Sequence, residues 1–148
     1  MDSRFDNRPV LLIEDDKVDA MTVMRAFDTI KAKSPLVHRF NGEEGLAYLH
    51  EEASPEPWLI FLDINMPRMS GIEFLKIMKE DASLRHIPVI VLTTSNEERD
   101  VIECFRFNVA GYILKPLDFK NFLETLETII NYWSLCELPA EQNSVAMQ

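Results

Sequence analysis

Short apolar runs recur along the chain, spaced by longer amphipathic stretches. Val10-Leu11-Leu12-Ile13 is the first, followed by Trp58-Leu59-Ile60-Phe61-Leu62, Val89-Ile90-Val91-Leu92 and Tyr112-Ile113-Leu114. Runs so brief and so rich in Val, Ile and Leu are too short for buried helices. They fit strands covered on both faces, as a parallel sheet requires. Leu36 to Phe40 is weaker, with His38 and Arg39 inside it, and suits an edge strand.

The stretches between carry helical spacing. Ala20, Val23, Met24, Phe27 and Ile30 form one apolar stripe, and Leu46 and Leu49 part of a second. Phe74, Leu75 and Met78 form a third, and Val101, Ile102 and Phe105 a fourth. Phe119, Phe122, Leu123, Leu126, Ile129, Ile130 and Trp133 form the fifth and longest. A strand followed by a helix, five times over, predicts parallel pairing through right-handed crossovers, hence a five-stranded doubly wound α/β domain. Asp16 is placed to cap the first helix, Ser54-Pro55-Glu56-Pro57 breaks the chain before the third strand, and Pro88 opens the fourth. The expected boundaries are a flexible N-terminus over 1–8, one domain over 9–137 and a tail over 138–148.

Composition narrows the function classes. At 148 residues the chain holds one ordinary domain, and 47% hydrophobic content is enough for a substantial core. A net charge of −10 argues against nucleic-acid binding, because an acidic surface repels phosphate backbones. No apolar run is long enough for a membrane span, and Met1 to Arg8 lacks the apolar core of a signal peptide. Cys104 and Cys136 show no metal-ligand spacing and read as small apolar side chains, in keeping with a reducing cytoplasmic setting. His38, His50 and His86 are scattered and suggest no shared site.

Chemistry in an open parallel sheet gathers beyond the C-terminal strand ends. There the first strand ends on Glu14-Asp15-Asp16, the third on Asp63, the fourth on Thr93-Thr94-Ser95 and the fifth on Lys115-Pro116. Each residue has an ordinary reading as a cap, loop or surface group. Their joint placement on one edge is what chance seldom supplies. Acids on adjacent strand ends repel unless a cation lies between them, and a few hard oxygen ligands partly open to solvent suit Mg²⁺. A carboxylate there can act as a nucleophile towards phosphorus if a metal and a lysine neutralise the incoming oxygens.

The segments LLIEDD, LDINMPRMSG, VLTTS and GYILKP resemble the response regulator receiver family over roughly Pro9 to Trp133. Thirty residues separate Asp63 from Thr93, and twenty-two separate Thr93 from Lys115, in keeping with that family's spacing. The resemblance implies a flavodoxin-like sheet of order 2-1-3-4-5, with Asp63 phosphorylated by a sensor histidine kinase. It implies Mg²⁺ on Glu14, Asp15, Asp63 and the backbone carbonyl of Asn65, although three acids in a row leave the register open by one at Asp16. It further implies that Lys115 pairs with the acyl phosphate, that Thr93 and Tyr112 respond to it, and that the Lys115–Pro116 peptide is cis. The Asn65 and Ser95 side chains would tune self-dephosphorylation. Turnover of an external substrate is not expected.

Two features depart from the family: a few extra residues around Glu51 to Glu56, and a C-terminal helix longer than the fold needs. Past Trp133 the apolar residues Leu135, Cys136 and Leu138 continue, with Tyr132, Leu135 and Cys136 on a separate face. This turn either folds back on the domain or makes a contact surface, most simply a symmetric homodimer. NYWSLCELP also resembles the tails of stand-alone receivers that partner bacterial phytochromes. With no output module following, an activated form would act through a separate downstream protein, by a surface over about Glu97 to Trp133.

Two rival classes fit the sheet less well. A flavodoxin-like electron carrier needs a phosphate cradle rich in Gly or hydroxyls, whereas Glu14-Asp15-Asp16 would repel a phosphate. An aspartyl phosphohydrolase commonly carries a general acid two residues after its nucleophile, where this chain has Asn65.

Overall fold

The computed structural model describes residues 8–137; of the expected N-terminal segment 1–8 all but Arg8, and the whole expected tail 138–148 with Leu138, lie outside the described residues. Strands and helices alternate as the pattern predicts: β1 (Val10–Ile13), α1 (Lys17–Thr29), β2 (Leu36–Arg39), α2 (Gly42–His50), β3 (Leu59–Leu62), α3 (Gly71–Glu80), β4 (Val89–Thr93), α4 (Glu98–Arg106), β5 (Gly111–Leu114) and α5 (Phe119–Leu135). All pairings are parallel, and the sheet order is β2-β1-β3-β4-β5.

Side-chain alternation along the strands divides the core in two. Val10, Leu12, Leu59, Phe61, Ile90 and Leu92 pack with α1 and α5, through Ala20, Val23, Ala26, Phe27, Phe122 and Leu126. Leu11, Ile13, Ile60, Leu62, Val89 and Val91 pack with α2, α3 and α4, through Leu46, Tyr48, Phe74, Leu75, Met78 and Cys104. Every residue of β1, β3 and β4 is buried, which is why those three runs lack polar alternation. Only the half-buried edge strands β2 and β5 tolerate His38, Arg39 and Tyr112.

Side-chain caps fix four of the five helix starts. Asp16 accepts hydrogen bonds from the N–H groups of Val18 and Asp19, and Asn41, Ser70 and Asp118 do the same for α2, α3 and α5. At the cap position before α4, Glu97 makes no such bond. The extra residues before β3 are fastened rather than loose. The Tyr48 hydroxyl donates to the Pro55 carbonyl at 2.8 Å, and Arg8 reaches the Glu56 and Pro57 carbonyls.

The apolar stripes need correction at two places. Met24 is exposed, and Ala26 takes its place on the buried face of α1. On α4 the expected Ile102 and Phe105 are about half exposed, and Cys104 is the residue that reaches the core. One residue rotates a helix position by roughly 100°. The face that carries Cys104 therefore meets the core, and Ile102 and Phe105 turn outward. At the chain's end, Phe119, Leu123, Ile129, Ile130 and Trp133 lie partly buried against the core. Tyr132 and Leu135 point out to solvent, the former edge-on to Trp133.

The two cysteines differ in environment. Burial pushes the Cys104 thiol up to about 11, with Asp100 and Glu103 adding to the shift, whereas Cys136 is half-exposed at the end of α5. A thiolate-directed reagent at mildly alkaline pH is expected to modify Cys136 in the native protein, and Cys104 only after denaturation. Peptide mapping after brief alkylation checks this; rapid labelling of Cys104 in folded protein would contradict the packing.

Candidate functional site

The strand register carries the acids to one edge. Ile13 pairs with Leu62, and the Asp63 N–H donates to the Ile13 carbonyl at 3.1 Å, so Glu14 and Asp63 leave the sheet side by side. Across β4, the Lys115 N–H donates to the Thr93 carbonyl at 2.8 Å, which brings the fifth strand's lysine to the same edge. A one-residue slip in any pairing would turn these side chains to the opposite face. Such a slip would also draw a charged end residue into the buried sheet, which makes it costly.

Glu14, Asp15 and Asp63 each offer a carboxylate oxygen within 4.8 Å of the others, with Glu14 and Asp63 buried and Asp15 half-buried. Asp16 lies outside this group because its carboxylate caps α1. At an effective dielectric near 20, two unit charges so close repel by roughly 3–4 kcal/mol, more than a surface ion pair returns. A divalent cation would remove that repulsion, and an all-carboxylate, oxygen-only donor set open on one side fits a hard ion.

Lys115 brings a positive charge to the cluster. Its Nζ donates to Glu14 Oε1 at 2.5 Å and to Asp19 Oδ2 at 2.9 Å. Burial pushes the Glu14 carboxyl well above the usual carboxylate range; the bond from Lys115 offsets part of this, and the charge on Asp63 adds to it. Burial alone would lower the Lys115 ammonium, but its bonds to Glu14 and Asp19 outweigh it and hold the group above its ordinary value.

Two of these partners were not legible in the sequence as part of a site. Asp19, one turn into α1, carries only the helical spacing that puts it near Asp15. His38 looked like an ordinary edge-strand residue. Its ring nevertheless lies 2.7 Å by Nε2 from the Glu14 carbonyl, so that nitrogen is the donor, while the Glu14 N–H donates to the Arg39 carbonyl. The edge strand thus holds Glu14 by both backbone groups.

The remaining expected residues form a second chain of contacts. Thr93 is fully buried, and its Oγ1 accepts from the Ser95 N–H at 3.2 Å. The Ser95 hydroxyl donates to Asp100 on α4 at 2.6 Å, and the half-buried Tyr112 hydroxyl donates to the Ser95 carbonyl at 2.8 Å. The Asn65 N–H donates to Asp63 Oδ1 at 3.4 Å, a long bond. The expectation of a cis Lys115–Pro116 peptide is not met: no described peptide bond is cis. A tertiary amide leaves only about 0.5–1 kcal/mol between the isomers, so packing rather than the Lys-Pro sequence decides.

The loop after β3 is tightly set. Arg68 sits at φ 63°, a left-handed conformation costly for a side-chain-bearing residue. Gly71 lets the start of α3 lie directly on that strand end, since a Cβ there would stand 2.6 Å from both the Asp63 carbonyl oxygen and the Ile64 Cα.

The response regulator receiver domain model matches residues 10–127. The chain belongs to the response regulator receiver family. Among its relatives, response regulator Rcp1 of Synechocystis sp. is 35% identical over 128 residues, covering 84% of this chain and 87% of Rcp1. The probable methanogenesis regulatory protein FilR2 of Methanothrix harundinacea is 36% identical over 127 residues, covering 84% and 82%. The phosphorylated cyanobacterial phytochrome response regulator RcpA superposes with a TM-score of 0.83 at 30% identity, over 90% of this chain and 99% of RcpA. The Mn²⁺-bound form of Rcp1 gives 0.82 at 35% identity, with the same coverage.

Family membership makes this a receiver domain of two-component signalling, a phosphoacceptor rather than a metabolic enzyme, whose partner class is the histidine kinase. Neither the electron-carrier nor the phosphohydrolase reading finds support. Among the described residues no helix is long and apolar enough to cross a membrane.

Gly71→Ala tests the tight seating of α3. It is expected to lower stability by about 1–3 kcal/mol, as overpacking against backbone does, with the secondary structure retained. Urea unfolding followed by circular dichroism measures this, and an unchanged midpoint would show that the strand end can yield.

Proposed function

We propose that Asp63 accepts a phosphoryl group from a phosphohistidine of a sensor kinase, with Mg²⁺ as the cofactor. The observation that carries this is the convergence of Glu14, Asp15 and Asp63 with Lys115 on one sheet edge. An Asp63 carboxylate oxygen forms the new P–O bond as the P–N bond to the kinase imidazole breaks, and the bond's electron pair returns to that nitrogen. Glu14, Asp15, Asp63 and the Asn65 carbonyl would hold the metal, which supplies charge neutralisation to the phosphoryl oxygens. Lys115 supplies the second positive charge. Thr93, buried and two residues beyond the strand pairing of Leu62 with Val91, would bind the phosphate, and Tyr112 would follow it.

Asn65, whose N–H donates to Asp63, and Ser95, whose N–H donates to Thr93, would set how long the phosphate survives. Ser95 also links the site to α4 through Asp100, so a pull on Thr93 has a short route to that helix. The half-exposed Ile102, Phe105 and Leu114 offer the changed surface to a downstream protein. Likeness to Rcp1 and RcpA supports a phytochrome-type kinase as the donor. The outward Tyr132 and Leu135 support a homodimer through the last helix.

Incubation with Mg²⁺ and a small phosphodonor should add the mass of one phosphoryl group to the wild type and none to Asp63→Asn. Equal labelling of both would reject Asp63 as the acceptor. Lys115→Ala should slow labelling by about 10²-fold, the cost typical of losing one group that neutralises developing charge.

Metal affinity should depend on pH in a stated direction. Because burial raises the Glu14 carboxyl to about 8, Mg²⁺ must displace a proton below that pH. Affinity should therefore weaken as pH falls below about 8 and level off above it. Calorimetric titrations across that range should show the slope in wild type and its loss in Glu14→Gln; a slope that survives the substitution would assign the proton elsewhere.

A further inference from the structure

We propose that Asp19 is a positioning residue that holds Lys115 in its resting place and thereby opposes phosphorylation of Asp63. This rests on the receiver reading above. The Lys115 ammonium makes two hydrogen bonds, to Glu14 and to Asp19, and neither goes to Asp63. A phosphoryl group on Asp63 needs that ammonium. One of the two bonds must then be given up or shared.

The two partners are not equivalent. Glu14 is buried and belongs to the acid cluster, so its position is fixed by the same requirements as the metal site. Asp19 stands outside that cluster on the first turn of α1, with its side chain 41% exposed. Its backbone is held by the Asp16 cap, at 3.2 Å from the Asp19 N–H to Asp16 Oδ1, so the carboxylate is presented at a fixed place rather than by a wandering loop. Beside this pair a cavity of about 410 Å³, lined by Asp19, Thr22, Thr94, Lys115, Pro116 and Phe119, leaves the lysine room to move.

A contact made in the resting state and surrendered in the phosphorylated one shifts the equilibrium towards rest by its own free energy. The half-open setting of Asp19 keeps that bias small. An exposed ion pair contributes about 0.2–1 kcal/mol, which corresponds to a change of up to about five-fold in the equilibrium.

Beryllofluoride with Mg²⁺, an acyl-phosphate mimic, is the probe, and fluorine NMR measures its bound fraction. Asp19→Asn is expected to bind it up to about five-fold more tightly than wild type. In the Lys115→Ala background, titrated to higher probe concentration, the same substitution should have no effect. Unchanged or weaker binding by Asp19→Asn would overturn the proposal. So would an equal gain in both backgrounds, which would be a field effect of one fewer acid. A beryllofluoride-bound structure in which Lys115 still bonds to Asp19 would overturn it independently. A wild type that binds no probe, or an Asp63→Asn variant that binds it, would instead defeat the receiver reading itself.

Discussion

Three carboxylates brought within 4.8 Å of one another at the end of an apolar sheet form the constraint on which the rest of this molecule turns. Nothing in the strands relieves it, because β1, β3 and β4 are buried on both faces and carry no polar side chain before their ends. The relief comes from across the sheet, where the Lys115 ammonium reaches Glu14 after the chain has passed through four further strands. The site therefore exists only when the whole sheet is assembled in register. Its charge balance is a property of the fold and not of any local segment.

The same requirement explains the backbone around Glu14. Its N–H and carbonyl are both engaged by β2, and Asp16 N–H approaches its Oε2 at 3.3 Å. A buried acid that must serve either a lysine or a metal gains from a fixed main chain, since positional freedom would let it escape to solvent. Arg68 in its left-handed conformation and Gly71 against Asp63 impose comparable restraint on the other acid.

Most of the architecture was legible in the sequence because the buried strands are so uniformly apolar that their limits can be read directly. The acids, the lysine and the hydroxyls were legible for a related reason: Glu14, Asp63, Thr93 and Lys115 are each the first polar residue after a hydrophobic run, with Asp15 and Ser95 close behind. Partners brought in by helix geometry or by an edge strand carry no such mark. Asp19 and His38 have nothing in their neighbours to distinguish them from surface residues, and only the folded register reveals what they touch. The outward turn of Ile102 and Phe105 failed to show for a different reason. In a nine-residue helix, apolar residues one position apart can satisfy either of two faces, and the small side chain of Cys104 is an inconspicuous claimant to the buried one.

That choice gives the domain an uneven mechanical build. The helix α3 is held by Phe74, Leu75 and Met78, each of which contributes roughly 1.5–3 kcal/mol when buried, whereas α4 commits one thiol and begins without a side-chain cap. Rigidity therefore falls off along one side of the sheet, from a stiff plate at α3 to a compliant one at α4. The Ser95–Asp100 bond ties the compliant plate to the strand that ends at Thr93. A displacement at that strand end will spend itself on the softest attached element, so the direction in which the molecule deforms is already written in how little α4 buries.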